Sequence, residues 1–380
     1  MKRFHAALLL AFAAASARAE DPKPPLPAQA PIALLVDLSA GQTLFARDAD
    51  VRFLPASMTK AMTALVAFDL IKAGRLREDA VFSVRPQTAA RWSGKGTSLW
   101  LKAGEQVRVA DLLSGVATAS ANDAAVVLAE GALGSDAAWL AAMNARASAL
   151  GMRGSHFAST NGLPDGGKTY VTARDMVRLA QALITEHPAL YHRYFGHRDF
   201  VWRGQVLVSR NPFAGILPGA DGIKTGHTRE AGFTFLGAVE RGGRRLVLVV
   251  GKVPTEATRA AAARDLAEWG YDAWDSRPFL VPDRVVGAVK VQGGDAREVP
   301  VAVARAFAVA VPEGSQPKIS ARIVYQGPVR APVAKGALIG GLEVSIAGQP
   351  LHYLPLVSTK AVGVAGPIDR IVGGLLGLFE

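Results

Sequence analysis

Between residues 31 and 275 strand-like runs stand at both ends of a long helical block, and this order limits the fold more than any other feature of the chain. The opening stretch PIALLVDLSAGQTLFARDAD is two apolar runs about a Ser-Ala-Gly-Gln turn, a hairpin pattern. From Ala56 to about Ala73 apolar residues fall at helical spacing and stop before Gly74. Most of 105–190 is Ala-rich and helical in period, with Gly breaks at 115, 131, 134 and 151. Strand character returns at DGIKTGH, AGFTFLGAVE and RRLVLVVGKV, the last two joined by Arg241-Gly-Gly, and the helix TRAAAARDLAEWGYDAW closes the region. Repeating βαβ units would not separate the strands in this way. One antiparallel sheet covered by helices would, so an α+β domain is expected over 31–276. Beyond Pro278, short Val/Ala-rich runs broken by QGGD, PEGSQP, YQGP and IAGQP predict a smaller all-β sandwich over 277–362.

The ends read differently. Residues 1–19, MKRFHAALLLAFAAASARA, carry Lys2 and Arg3 ahead of an uncharged Ala/Leu run and close on a small-x-small pattern, so an export signal is expected. Residues 20–30 are a Pro-rich lead-in. The formal charge of +11 includes three positives in the signal, which leaves about +8 on a mature chain suited to anionic partners. An anionic wall or lipid surface fits an exported protein better than nucleic acid, for which no motif is present. There are no cysteines, which excludes disulfide scaffolds, thiol nucleophiles and Cys-type metal sites. Residues 363–380 end in a stripe of Ile368, Ile371, Val372, Leu375, Leu376 and Phe379. Its polar face lacks a Lys/Arg-rich side, so docking on its own domain and anchorage at a membrane surface both stand.

The chemistry-bearing residues begin at PASMTK, residues 55–60, where Ser57 and Lys60 at i and i+3 share one helix face. A capping Ser and a surface Lys account for most such pairs. Roughly one S-x-x-K arises by chance in a chain of this length. A second, Ser315-Gln-Pro-Lys318, reads as surface loop. Three S-x-N triplets occur, at Ser120–Asn122, Ser159–Asn161 and Ser209–Asn211. Lys224-Thr225-Gly226 is rarer and falls on a short strand. A Ser hydroxyl is a poor nucleophile until a neighbour takes its proton. Lysine does so only when neutral, which requires burial and a nearby second cation, and Lys224 is a candidate. Ser57 at a helix start and His227 on the strand could each offer a backbone N–H to an oxyanion, and Gly226 would admit a substrate backbone. The histidines at 156, 187, 192, 197 and 352 lack metal-ligand spacing, so neither metal nor cofactor is expected.

S-x-x-K followed by S-x-N and K-T-G is the motif set of penicillin-binding proteins and serine β-lactamases, and the chain resembles the low-molecular-mass D-alanyl-D-alanine carboxypeptidases. That resemblance implies a β-lactamase/transpeptidase-like domain followed by the β sandwich, peptidoglycan stem peptides as substrates, β-lactams as covalent inhibitors, and a periplasmic place on the membrane's outer face. By the same resemblance Ser57 is acylated, Lys60 is the acylation base, and Ser120 with Asn122 relays a proton and holds the substrate amide. Lys224, Thr225, Gly226 and His227 bind the terminal carboxylate and the reacting carbonyl, and Arg259 lies near that carboxylate. The two other S-x-N triplets are set aside. Trp92 and Trp100 flank SGKGTS, an expected rim of the site, with Ala103 where the family has Pro. No E-x-x-L-N loop is present to favour a β-lactamase. A D,D-endopeptidase is the nearer alternative, and a spent wall scaffold the non-enzymatic one.

Overall fold

The computed structural model describes residues 3–6, 22–26, 30–316, 318–346 and 351–366. It divides into two units, Lys23–Ala273 and a second that joins Met1–Pro22 to Trp274–Glu380. Within the expected export signal the described residues are the strand β1, Arg3–Ala6, paired antiparallel with a strand of the second unit at Ile323–Gln326; the rest of that segment lies outside the described residues.

The first unit opens with the hairpin β2 (Ile32–Asp37) and β3 (Gln42–Arg47), then a 3-10 turn at Ala56–Met58 that runs into α1 (Thr59–Lys72). A helical lobe follows: β4 (Val81–Ser83), α2 (Pro86–Trp92), β5 (Gln106–Arg108), α3 (Val109–Ser114), a π-type turn at Gly115–Ala119, α4 (Asn122–Leu133), α5 (Asp136–Ala149), α6 (Ala173–Glu186) and α7 (Pro188–Tyr194). The hairpin β6 (Asp199–Trp202) and β7 (Gln205–Val208) leads to β8 (Ala220–Thr228), β9 (Gly232–Arg241), β10 (Arg244–Val253) and α8 (Glu256–Asp272). The main sheet has the order β3-β2-β10-β9-β8, antiparallel throughout.

Its inner strands are near-continuous apolar runs because helices cover both faces. Successive side chains alternate between faces. Leu34, Leu236, Val247 and Val249 join the core that contains α1 and the helical lobe. Leu35 and Leu246 meet α8 instead, at Gly270, where a Cβ would lie 2.6 and 2.8 Å from them. Helix α1 is buried on nearly every side from Thr59 to Phe68, as an all-round apolar helix must be. It is therefore a rigid central post.

Two short strand pairs depart from the sequence expectation. β5 stands at the start of the 105–190 block read as helical and pairs with β4 ahead of it across α2, and the hairpin of β6 with β7 had no strand expectation at all. The second unit is all-β: β11 (Trp274–Leu280), β12 (Val285–Gln292), β13 (Glu298–Val303), β14 (Phe307–Pro312), β15 (Ile319–Gln326), β16 (Val329–Arg330), β17 (Leu338–Ile346) and β18 (His352–Ser358). Its larger sheet runs β1-β15-β17-β18-β13-β12-β16, with β11 and β14 forming a separate pair. Val299, Val301, Val344 and Leu356 are at the centre of its own core. Among the described residues no single helix is long and apolar enough to cross a membrane, and the apolar stripe of 368–379 lies outside them.

Candidate active site

Ser57 is the middle residue of the 3-10 turn that starts α1, and the following turn of that helix carries Lys60. The Nζ of Lys60 lies 2.9 Å from Ser57 Oγ. It also donates to Asn122 Oδ1 at 2.6 Å and to the main-chain carbonyl of Asn161 at 2.6 Å. Asn122 cannot present its other end, since its Nδ2 donates to Lys95 O at 2.7 Å. A neutral amine has two N–H bonds and one lone pair. Two fixed carbonyl acceptors take both hydrogens, so the lone pair of a neutral Lys60 is left to the Ser57 hydroxyl.

Lys60 is 0 % exposed. Burial drives its pKa well below the usual lysine value, the Lys224 charge lowers it further, and Asp123 opposes both. Lys224 had been expected as the cation that does this; it contributes, but loss of water is the larger cause. Lys224 is itself buried on β8, its Nζ donating to Thr225 O at 3.0 Å. Burial and the charges of Arg259 and Arg210 push it down to about 7.

β8 is brought against the Ser57 turn by the absence of a side chain at Gly226. A Cβ there would lie 2.4 Å from Pro55 O and 3.0 Å from Ser57 N, so any larger residue would part strand and turn. Thr234 on β9 ties the same turn, donating to Pro55 O at 3.0 Å. The missing side chain of Gly226 thus admits the protein's own backbone, a close approach outside the sequence expectation for this residue. The start of β8 is held by Asp221, which accepts from Tyr191 OH at 3.1 Å and from Arg245 NH1 at 2.7 Å.

A cleft of about 180 Å³ opens between these elements, lined among others by Ser57, Ser120, Thr225, His227, Arg210 and Arg259. Ser120 reaches it from a left-handed backbone, φ 60°, that ends the π-type turn ahead of α4. Ala121, not Asn122, is the N-cap of α4, and the Asn122 side chain bonds Lys60 and Lys95 O. His227 is exposed, its ring stacked on Phe233 at 3.9 Å. Arg259 is 2 % exposed: its guanidinium donates to Glu256 and to Arg210 O and lies over Phe233. Trp100 stands on the rim and Trp92 does not line the cleft.

Two contributions escaped the sequence. The Ser159–Asn161 triplet, set aside, touches Lys60 through a main-chain carbonyl, for which residue type leaves no signature. Arg210, inside the other discarded triplet, adds a cation to the cleft while Asn211 only closes a turn to Phe213 N. Asp69, Glu186 and His187 also converge, but Arg146 is paired with both carboxylates there and already supplies the positive charge.

A serine bonded to a buried lysine, beside a lysine-bearing sheet edge and under a helical lobe, defines the class of penicillin-interacting serine acyltransferases. Comparison with known proteins narrows this. Residues 17–255 match the peptidase family described as D-alanyl-D-alanine carboxypeptidase, and residues 274–364 match the penicillin-binding protein 5 C-terminal domain. The D-alanyl-D-alanine carboxypeptidase DacA of Escherichia coli K12 is 33% identical over 355 residues, 91% of this chain and 87% of the relative. The crystal structure of penicillin-binding protein 5 from Haemophilus influenzae superposes with a TM-score of 0.79 at 28% identity, covering 90% of this chain and 98% of that one. Penicillin-binding protein D2 of Listeria monocytogenes, solved in the ampicillin-bound form, matches at TM-score 0.59 and 31% identity over 66% of this chain and 100% of its own. The chain belongs to the D-alanyl-D-alanine carboxypeptidase family.

Proposed function

We propose that this carboxypeptidase removes the terminal D-Ala of peptidoglycan pentapeptide stems through an acyl-enzyme on Ser57. Neutral Lys60 takes the Ser57 proton as Oγ bonds to the carbonyl carbon of the penultimate D-Ala. Ser120, at the cleft wall, gives its proton to the departing amine as the C–N bond breaks and is reprotonated from Lys60, so that the Ser57 proton ends on the amine and Lys60 is neutral again. Water then cleaves the ester with the same groups acting in reverse. Asn122 holds the base through Oδ1, and the second hydrogen of its Nδ2, the one Lys95 O does not take, binds the substrate amide carbonyl. The backbone N–H groups of Ser57 and His227 receive the oxyanion. Lys224, Thr225, Arg259 and Arg210 bind the terminal carboxylate.

The observation that supports this reading most directly is the pair of carbonyl acceptors that leaves Lys60's lone pair to Ser57. β-Lactams acylate the same serine, mimicking the D-Ala-D-Ala amide. The cleft's carboxylate, Glu256, is paired with Arg259, which favours a slowly hydrolysed penicilloyl ester over β-lactamase turnover. Residues 1–19 direct export, and 367–380 hold the mature enzyme at the outer face of the cytoplasmic membrane. Incubation with diacetyl-Lys-D-Ala-D-Ala tests the activity. Freed D-Ala supports it; intact peptide with a correctly folded chain rejects it.

A further inference from the structure

Asp123 follows the S-x-N triplet, is 1 % exposed, and turns its carboxylate to the wall of the cleft, with one further bond from Ala124 N of its own helix to Oδ1 at 2.9 Å. Its Oδ1 accepts from Leu99 N at 2.9 Å, and its Oδ2 from Ser98 Oγ at 2.6 Å and Leu101 N at 3.1 Å. Ser98 Oγ in turn accepts from Gly94 N at 3.0 Å and Trp100 N at 2.9 Å. The adjacent Asn122 grips the same segment from its main chain, donating to Thr97 O at 2.8 Å, and from its side chain, donating to Lys95 O. Thr97, Ser98 and Trp100 line the cleft.

We propose that Asp123 is a positioning residue that clamps segment 94–101 to the Ser120–Asn122 turn, fixing the wall against which the stem peptide binds. A buried carboxylate persists only when donors satisfy its oxygens. Here three of the four donors, Leu99 N, Leu101 N and the Ser98 hydroxyl, belong to a loop with no regular structure and the fourth is Ala124 N, so the charge and the loop hold each other in place. The clamp also couples wall to base. The charged groups acting on Lys60 are Lys224 from β8, which disfavours its proton, and Asp123 from α4, which favours it; Ser57, Asn122 and the Asn161 carbonyl are uncharged. The inference rests on the assignment of Ser57 and Lys60.

Two variants separate the parts. Asp123→Asn keeps the size but turns an NH2 toward Leu101 N–H or Ser98 and removes the charge, whereas Ser98→Ala loosens the loop and leaves the charge alone. Each is titrated for active serines with fluorescent penicillin and assayed on diacetyl-Lys-D-Ala-D-Ala across pH. Asp123→Asn should raise KM by about tenfold and move the acidic limb of kcat/KM down by about half a pH unit. Ser98→Ala should raise KM by about threefold with the limb unmoved. Should Asp123→Asn fail to fold, the KM of Ser98→Ala still decides the clamp. A labelled wild type with variants of unchanged KM overturns the clamp alone. A wild type that takes no label overturns the serine assignment, and with it the kinetic role given to Asp123.

Discussion

A lysine removed from water holds its proton poorly, and this protein buries two of them, Lys60 and Lys224, with different neighbours. Lys60 has to be neutral to act, so acylation should appear as pH rises through its lowered pKa. Lys60→Arg keeps a cation that cannot be deprotonated there and should lower penicillin acylation by at least about a hundredfold, measured as the labelling rate. Lys224, at about 7, loses its charge as pH rises through that value, weakening the grip on a carboxylate. KM for the peptide should therefore climb above about pH 7, and Lys224→Arg should flatten that climb. The same shift bears on stability. The unfolded chain binds this proton up to its ordinary pKa while the folded chain has released it, so Lys224 makes stability rise with pH between about 7 and 10. Replacing it by Met should remove a slope that integrates to an upper bound on the order of 4 kcal/mol, read from urea midpoints at pH 7 and 10.

At the scale of elements, the site depends on backbones meeting where side chains would intrude. Gly226→Ala should separate β8 from the Ser57 turn and cut kcat/KM by about tenfold or more, with Thr225 still in place; unchanged kcat/KM would show that the strand can shift without loss. Gly162 is placed similarly under the Ala56 carbonyl, 2.0 Å from where its Cβ would be and at φ +79°, a conformation that glycine adopts readily. The elements legible in the sequence were those with a long repeat of apolar residues: the two hairpins of the main sheet, α1 and α8. The strands of β4–β5 and β6–β7 are only three or four residues long, too short for alternation to register. The Ser57–Lys60 contact followed from helix geometry alone. The Asn161 carbonyl did not, since any residue carries one, and Arg210 stood in a triplet judged by its Ser and Asn.

For the whole molecule, every residue assigned to the cleft lies in Lys23–Ala273, which has a core of its own. That unit alone should hydrolyse soluble peptide with kcat/KM within about threefold of the full chain. Removal of 367–380 should release the enzyme from membranes in a flotation assay while leaving soluble-peptide turnover intact, and undiminished flotation would reject the anchor. The Lys60 environment carries one more consequence. Its three contacts come from residues 57, 122 and 161, which meet only after the helical lobe has assembled. A chain still extended thus has lysines of common basicity and an inert serine, and its warhead arms itself only as folding ends; a covalent antibiotic tag consequently counts molecules that have completed their assembly.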